Sequence, residues 1–546
     1  MKIALAQINP IVGDISGNAA KMADCLAKAE AAGAELAVFA ELAVVGYPPR
    51  DLLRKEQFVA DSVAAVEALA KRCTKVAALV GYVRPTPQEK GRPLQNAAAL
   101  LAGGKIRHVH VKSLLPTYDV FDETRYFQPG PDGQCAELKG KRLGLSICED
   151  LWDAIALGRE LYGRDPVAEL KAAGAEVIIN MAASPYQMGK AAVREELLAR
   201  QAARTGCPIV YVNQVGGNDE LIFDGGSCIV GPSGKVLARA ASFREDLLVA
   251  DLDGGGQVAP AGEEMEQLSA ALKLGLADYV HKCGFRSVVL GLSGGIDSAV
   301  VAALAADALG AGNVLALALP SRYSSAHSLE DAKALADNLG IELRVLPIET
   351  VHAAYSQVLG ATMPLGACDA TEENIQARIR GNLVMAHSNK YGHLAVATGN
   401  KSELSTGYCT LYGDMAGALS PIGDVLKTVV YKLAEQLNAE SGSERIPRRV
   451  FEKAPSAELK PNQYDQDKLP PYELLDEILK RYIEQDRTAR QIIAEGFDAA
   501  VVQRVVQMVD GAEFKRRQAA PVLKVTSRAF GSGRRMPIAQ RYKPLA

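Results

Sequence analysis

The chain has 546 residues, of which 48% are hydrophobic and 23% charged, proportions typical of a soluble globular protein. This length predicts two or more domains, each large enough to bury its own core. A formal net charge of −3 at pH 7 argues against a general binder of nucleic acid or of membrane surfaces. No apolar run approaches the roughly 18 residues of a membrane span, and the N-terminus lacks the apolar region of a signal peptide. Nine cysteines without a Cys-x-x-Cys pair favour reduced thiols, so a cytoplasmic location is expected.

Residues 1 to about 260 alternate short strand-like and helix-like segments. Helices are predicted at 18–32 and 61–72, and the sequence Pro232-Ser-Gly-Lys235 predicts a hairpin turn. Strands are predicted at 2–8, 36–40, 76–83, 96–101, 105–112, 142–148, 177–180, 209–213, 227–230 and 247–252. Many short strands with interleaved helices predict an α/β sandwich.

A glycine-rich stretch at 253–260 is the clearest linker, and it divides the chain into predicted domains at 1–260 and 261–546. A helix is predicted from residue 263. Strands are predicted at 287–292, 314–319, 343–347 and 394–398, and helices at 299–309, 328–339 and 374–389. This alternation predicts a doubly wound, Rossmann-like sheet, followed from about 445 by a helical and then irregular segment.

The stretch Ser293-Gly-Gly-Ile-Asp-Ser298 lies between the predicted strand 287–292 and the predicted helix 299–309. Glycines let backbone N–H groups point inward, and a helix N-terminus favours negative charge, so the stretch can bind an anion. Asp297 would repel phosphates unless a cation lies between them, which indicates bound Mg²⁺. The chain has no Gly-x-x-x-x-Gly-Lys-Ser/Thr motif. The stretch instead resembles the pyrophosphate loop of enzymes that split ATP into AMP and pyrophosphate, with an ordinary glycine-rich turn as the alternative.

Three chemically reactive residues end predicted strands in the N-terminal half: Glu41 and Cys148 follow apolar runs, and Lys112 ends a basic strand. Because an α/β fold builds its site at the carboxyl ends of strands, these residues could converge. A thiol beside a carboxylate and an ammonium suits acyl transfer, with the glutamate taking the proton and the lysine stabilising the oxyanion. Singly, each residue also fits packing or a solvated strand end. Together, their order and contexts resemble the Glu-Lys-Cys triad of nitrilase-type carbon–nitrogen hydrolases.

An amidase joined to an ATP pyrophosphatase can release ammonia at one site and consume it at the other. With the motifs at 372–381, 398–404, 407–415 and 421–428, most of the chain resembles glutamine-dependent NAD⁺ synthetases. The resemblance implies an α-β-β-α nitrilase-type sandwich followed by a Rossmann-like ATP pyrophosphatase domain. It also implies a homo-oligomer, often an octamer, with a sheltered path for ammonia between the two sites.

The roles of the family's residues carry over to matching positions. Glu41 would be the base, Lys112 the oxyanion stabiliser and Cys148 the thioester-forming nucleophile. The glutamine pocket would be lined by Tyr118, Ser184 and Lys190. ATP would be held by Gly291, Leu292, Ser293, Gly294, Gly295, Ile296, Asp297, Ser298 and Thr398. Deamido-NAD⁺ (nicotinic acid adenine dinucleotide) would be contacted by Asn374, Glu403, Asp414, Lys427 and Lys515, and Mg²⁺ by Asp297 and Glu403. For Arg378 and Arg380, phosphate contact and helix-surface ion pairing are both open. Thr117 stands where the family often has Asn, a departure that removes no catalytic group.

The implied reaction has three steps: release of ammonia from glutamine, adenylation of the nicotinate carboxylate by ATP, and displacement of AMP by ammonia. Three other functions are weighed against it. The nearest is another glutamine-fed adenylating ligase, similar to GMP synthetase or asparagine synthetase. The others are a non-catalytic sensor of glutamine and ATP, and an amidase for a different nitrile or amide.

Overall fold

A computed structural model describes residues 1–131, 133–363 and 369–542. The chain forms two compact units, Met1–Glu263 and Glu264–Ala546. Within the described residues, no helix has both the length and the apolar character needed to cross a membrane.

The first unit is built from short strands and a few helices. Its strands are β1 (Lys2–Gln7), β2 (Leu36–Val38), β3 (Ala77–Pro85), β4 (Leu94–Ala102), β5 (Lys105–Val111), β6 (Cys135–Leu138), β7 (Lys141–Ile147), β8 (Val177–Ala182), β9 (Ile209–Asn213), β10 (Val215–Asn218), β11 (Leu221–Asp224), β12 (Cys228–Val230), β13 (Val236–Arg239) and β14 (Asp246–Asp251). Its helices are α1 (Ile15–Ala31), α2 (Glu56–Arg72), α3 (Ala154–Leu157), α4 (Pro166–Ala172) and α5 (Lys190–Thr205).

Two six-stranded sheets form the centre of this unit, in the orders β14-β1-β2-β3-β4-β5 and β13-β12-β9-β8-β7-β6. Strands β1, β2 and β3 are parallel, as are β7, β8 and β9. Apolar side chains of both sheets share one buried cluster, to which α4 and α5 also contribute. A second cluster covers the other face of the first sheet with α1 and α2. The predicted α-β-β-α sandwich is therefore confirmed.

The predicted strands of this unit exist with ends shifted by at most two residues. Because β1, β7, β8 and β9 are almost continuously buried, their apolar runs made them recognisable. The antiparallel hairpin β10–β11 was not predicted, since its first strand, Val215-Gly-Gly-Asn218, has little strand propensity. Helix α5 was also not predicted, because its buried face includes the polar side chains of Arg194 and Gln201.

The second unit has a four-stranded parallel sheet in the order β17-β16-β15-β18. Its strands are β15 (Val288–Gly291), β16 (Val314–Ala318), β17 (Glu342–Val345) and β18 (Leu394–Val396). Its helices are α6 (Glu264–Lys282), α7 (Ile296–Leu309), α8 (Ala326–Leu339), α9 (Glu349–Gly360), α10 (Ala370–Tyr391), α11 (Lys401–Thr406), α12 (Lys427–Ser441), α13 (Arg448–Glu452), α14 (Tyr472–Leu479), α15 (Ala489–Ala494), α16 (Ala499–Gly511) and α17 (Glu513–Arg516).

Strands β15 and β18 are neighbours, so the loops that leave their carboxyl ends lie side by side. The first loop leads into α7 and the second into α11. This is the edge at which an open parallel sheet binds its ligand. The doubly wound sheet and the helical C-terminal segment were both predicted, and both are confirmed.

Candidate active sites

Cys148 occupies a sharp turn at the end of β7. Its φ of 45° is in the left-handed region, and it begins a 3-10 turn, Cys148–Leu151. The carboxylate of Asp150 accepts hydrogen bonds from the backbone N–H of Ile147 at 2.9 Å, Ser113 at 2.9 Å and Leu114 at 2.7 Å. One buried side chain therefore joins the strained cysteine turn to the segment that follows β5.

That segment begins with Lys112, whose ammonium lies between two buried carboxylates. Its Nζ donates to Glu41 Oε1 at 2.7 Å and to Glu123 Oε1 at 2.8 Å. Glu41 Oε1 also accepts from Asn96 Nδ2 at 2.7 Å, and Oε2 accepts from the N–H of Ala183 at 3.1 Å. The predicted base and the predicted oxyanion stabiliser are thus in direct contact and fixed from several sides.

Electrostatics set the resting protonation of this cluster. Burial disfavours the charge of Lys112, but Glu123 and Glu41 outweigh it and hold the pKa of the ammonium well above its ordinary value. Burial and the charge of Glu41 raise the pKa of the Cys148 thiol, although Lys112 opposes them. Cys148 is therefore a thiol at neutral pH, and it needs a base to become a nucleophile.

Glu123 had no predicted role, although it ends the segment 110–123 that contains Lys112 and Tyr118. Burial raises the pKa of Glu123 to about 7, and its Oε1 accepts a hydrogen bond from the hydroxyl of Tyr47 at 2.8 Å. The sequence offers no strong signal for this residue, because a glutamate in a loop is usually exposed.

Tyr118 and Lys190, both predicted to bind glutamine, lie near a second unpredicted carboxylate, Glu149. The hydroxyl groups of Tyr118 and Tyr162 donate to Glu149 Oε1 at 3.0 Å and 2.9 Å. Burial raises the pKa of Glu149, while nearby positive charges including Lys190 oppose that rise. The Lys190 ammonium lies 5.4 Å from the ring centroid of Trp152. Glu149 directly follows Cys148, and Lys190 is near enough to act on the Glu149 carboxylate, so this part of the unit offers one anion and one cation.

Ser184, the third predicted glutamine residue, is buried directly after Ala183. Its N–H donates to Asn213 Oδ1 at 2.9 Å, and its carbonyl oxygen accepts from Asn213 Nδ2 at 3.2 Å. Because the preceding N–H is bound to Glu41, the position of Ser184 is linked to that of the base.

In the second unit, the loop between β15 and α7 is closed by its own serines. Ser298 Oγ accepts from the N–H of Ser293 at 3.2 Å and donates to the carbonyl oxygen of Gly295 at 3.0 Å. Gly294 has a φ of 76°, and a Cβ there would overlap the carbonyl oxygen of Ser328. Residue 294 must therefore be glycine. The backbone of this loop leads into the N-terminus of α7.

This loop lines a cavity of about 310 Å³. The lining includes these residues with predicted roles: Gly291, Leu292, Ser293, Gly295, Ile296, Asp297, Ser298, Thr398, Glu403, Asp414 and Lys427. Of the described residues with predicted roles in this unit, Gly294, Asn374 and Lys515 do not line it.

Asn374 and Lys515 hold a neighbouring segment instead. Asn374 Oδ1 accepts from Thr410 Oγ1 at 2.8 Å. Lys515 Nζ donates to the carbonyl oxygens of Gly407 and Cys409 at 2.7 Å and 2.8 Å. The structure therefore places both residues around the 407–414 motif, next to the cavity rather than on its surface.

Asp297 and Glu403 face the cavity with one shared cation, Lys427. Lys427 forms an ion pair with Asp297, and its Nζ lies 3.8 Å from Glu403 Oε1. Burial and the charge of Asp297 raise the pKa of Glu403 to about 8. The described residues contain no group of three or more histidine, cysteine or acidic side chains that could hold a metal. Two carboxylates do suit Mg²⁺ when phosphates and water supply its remaining ligands.

The two arginines of α10 have different positions. Arg380 lines the cavity, where its Nε donates to the carbonyl oxygen of Leu319 at 2.9 Å and burial lowers its pKa to about 10. Arg378 is exposed, and its Nε donates to the carbonyl oxygen of Leu411 at 3.2 Å. Lys453, which had no predicted role, also lines the cavity. Arg380, Lys427 and Lys453 thus give the cavity three cations suited to phosphates.

Comparison with known proteins identifies the family of this chain. Residues 2–259 match the carbon-nitrogen hydrolase family, and residues 268–519 match the NAD synthase family. The glutamine-dependent NAD(+) synthetase of Synechocystis sp. is 48% identical over 99% of this chain and 99% of its own length. The chain belongs to the glutamine-dependent NAD(+) synthetase family. The family member from Thermotoga maritima is 41% identical over 100% of this chain and 99% of its own length.

A solved structure supports the same assignment. The glutamine-dependent NAD+ synthetase from Acinetobacter baumannii, in complex with ADP, is 40% identical to this chain. The two match with a TM-score of 0.78 over 98% of each chain. The resemblance to glutamine-dependent NAD⁺ synthetases that was stated from the motifs is therefore confirmed. The chain is therefore an enzyme, and because it has an NAD synthase domain beside the carbon-nitrogen hydrolase domain, it is more than a simple amidase.

Proposed function

We propose that the chain amidates deamido-NAD⁺ in an ATP-dependent reaction, with ammonia released from glutamine, to give NAD⁺, AMP, pyrophosphate and glutamate. One observation carries this proposal: a single chain contains both a buried Glu41–Lys112–Cys148 cluster and a cavity that is lined by a phosphate-type loop and by both basic and acidic side chains. We assign the glutaminase to residues 1–260 and the NAD synthetase to residues 261–546.

In the glutaminase, Glu41 takes the proton of the Cys148 thiol as sulfur attacks the carboxamide carbon of glutamine. The Lys112 ammonium stabilises the oxyanion that forms, and Glu123 fixes that ammonium from the other side. Ammonia leaves with a proton returned by Glu41, and a thioester remains on Cys148. Glu41 then activates water to release glutamate.

Recognition of the α-carboxylate and the α-ammonium distinguishes glutamine from simpler amides. We assign the α-carboxylate of glutamine to Lys190 and its α-ammonium to Glu149, which Tyr118 and Tyr162 orient. Ser184 completes this pocket beside Glu41. A buried carboxylate with a raised pKa gains most from a cation, so the α-ammonium is a suitable partner for Glu149.

In the synthetase, backbone N–H groups of the loop 291–298 and the start of α7 bind the ATP phosphates, and Thr398 lies on the neighbouring strand end. The nicotinate carboxylate attacks the α-phosphate, and ammonia then displaces AMP from the adenylate. Arg380, Lys427 and Lys453 offset the charge of two polyanions. Asp297 and Glu403 would hold Mg²⁺, which supplies further charge neutralisation when bound. Deamido-NAD⁺ would be contacted by Asp414 and, through the 407–414 segment, by Asn374 and Lys515.

A homo-oligomer, implied by the family resemblance, and a cytoplasmic location, expected from the cysteines without a Cys-x-x-Cys pair, complete the proposal. Light scattering during size-exclusion chromatography measures the subunit number, and a mass equal to that of one chain would contradict a homo-oligomer.

Product analysis with ATP, Mg²⁺ and deamido-NAD⁺ tests the function, with glutamine or ammonium as the nitrogen source. Cys148→Ala is expected to make NAD⁺, AMP and pyrophosphate from ammonium but not from glutamine. Cys73→Ala is the matched control, because Cys73 is also a buried cysteine of the first unit but lies at the end of α2. The assignment is wrong if wild type makes no NAD⁺ from either source.

A further inference from the structure

A buried arginine on α5 lies one helical turn after Lys190. Arg194 is only 6% exposed, and its guanidinium forms a two-pronged ion pair with Asp224 at the end of β11. Nη1 lies 3.0 Å from Oδ1, and Nη2 lies 2.6 Å from Oδ2. Asp224 is 3% exposed, so water does not screen this pair. Because Lys190 and Arg194 are four residues apart, they share one face of α5.

The Asp224 carboxylate is also connected to Ser184, through the side chain of Asn213. Asp224 Oδ1 also accepts from Asn213 Nδ2 at 3.2 Å. Asn213 in turn holds the backbone of Ser184 at both its N–H and its carbonyl oxygen. The amide of Asn213 has two possible orientations, and the contact with Asp224 favours the one in which Oδ1 faces the Ser184 N–H, together with the carbonyl oxygens of Ser184 and Gly225, which also accept from Nδ2.

Arg194 also contacts β9, which β8 separates from β7, the strand that leads to Cys148. Its guanidinium lies 5.4 Å from the ring centroid of Tyr211 on β9. Tyr211 pairs in register with Asn180, whose Nδ2 donates to the carbonyl oxygen of Cys148 at 3.3 Å. The ion pair is thus packed against the sheet that carries the cysteine turn.

We propose that Arg194 and Asp224 are positioning residues for glutamine, which set Lys190 through α5 and Ser184 through Asn213. This inference rests on the proposed glutaminase function. Neither side chain touches the reacting atoms. Lys190 and Ser184 come from different elements. Lys190 Nζ donates to the carbonyl oxygen of Pro185 at 3.0 Å, and the buried ion pair adds a second link between α5 and the segment that contains Ser184. Lysine at 194 keeps the positive charge but loses the planar fork, so it cannot satisfy both oxygens of Asp224.

The variants R194K and D224N are expected to raise the KM for glutamine at least tenfold, while kcat falls by less than about threefold. NAD⁺ synthesis from ammonium should be unchanged, which also shows that the chain is folded. R204K is the matched control, because Arg204 is on the same helix and forms a two-pronged pair with Asp165 at 2.6 Å and 2.7 Å. R204K should keep the wild-type KM.

Labelling of Cys148 separates positioning from general damage. Iodoacetamide needs only the thiol, whereas 6-diazo-5-oxo-L-norleucine also needs the groups that bind an amino acid. R194K should slow labelling by the diazoketone at least tenfold and leave labelling by iodoacetamide within about twofold. Equal slowing of both reagents, or an unchanged KM for glutamine in R194K and D224N, overturns the inference. If wild type reacts with neither glutamine nor the diazoketone, the proposed function fails instead.

Discussion

The loop of the second unit allows a sharp test at Gly294. An alanine there has two problems, since the φ of 76° disfavours any side chain and the new Cβ would overlap the carbonyl oxygen of Ser328. Ser328 cannot move away easily, because it is 4% exposed and its Oγ donates to Glu458 at 2.7 Å. The loop itself must therefore shift.

The size of the effect follows from this geometry. The left-handed conformation costs alanine about 1–2 kcal/mol, and relief of the overlap needs a loop displacement on the order of 1 Å. A misplacement of ~1 Å in a reacting complex costs roughly 100-fold in rate. We therefore expect Gly294→Ala to lower kcat/KM for ATP about 100-fold.

The assay measures AMP and NAD⁺ formation with ammonium as the nitrogen source, beside glutamate release from glutamine. Gly295→Ala is the matched control: the φ of Gly295 is −95°, and its new Cβ would lie 3.3 Å from Ser293 Oγ, a side chain able to rotate. In this control, kcat/KM for ATP should fall less than about fivefold. Wild-type ATP kinetics in Gly294→Ala would refute the argument, as would an equal loss in both variants.

Two further predictions concern charged side chains. Arg380→Gln should raise the KM for nucleotide substrates about tenfold, since one charge-assisted contact is removed from the cavity; Arg378→Gln, on the exposed side of α10, should stay within about twofold in the same kinetic assay. For Glu123, burial raises the pKa from an ordinary value of 4.5 to about 7. Its contribution to stability is therefore fully present below about pH 4.5 and is lost as the pH rises through about 7, a loss of about 3 kcal/mol. Glu123→Gln should flatten the fall of the unfolding temperature over that window, and a parallel fall in both proteins would contradict the assignment.

Residues that end buried strands were the easiest to predict from the sequence. Glu41 and Cys148 follow apolar strands and Lys112 follows the basic strand β5, so each residue was recognisable at a strand end, although Cys148 comes from a different sheet than the other two. Glu123 and Glu149 were missed as functional groups because their burial depends on partners from distant elements. A sequence pattern gives the position of a residue along an element, but it does not give the burial of a loop carboxylate.

The motif at 398–404 shows a second limit of prediction from sequence. Lys401 belongs to this motif, but its ammonium points to a buried network with Asp424 at 3.0 Å and Glu484 at 2.7 Å. Glu403, two residues later, lines the cavity. Because α11 is a helix, residues two apart face different sides, so membership of a motif does not by itself show contact with substrate.

The two sites differ in how their buried charges are arranged. In the proposed glutaminase mechanism, moving the thiol proton to Glu41 would transfer a negative charge from carboxylate to sulfur, and the net charge of the buried cluster would not change. Lys112 acts on both atoms, so its ammonium stabilises the charge before and after the transfer. Charge conservation is what makes proton transfer feasible in a region of low dielectric constant, where creating a new charge would cost several kcal/mol. The synthetase cavity instead keeps Asp297 and Glu403 close together, and burial with like charge raises the pKa of Glu403 to about 8. Lys427 compensates part of this negative charge, and a Mg²⁺ ion that bound with the nucleotide, as proposed, would compensate more of it.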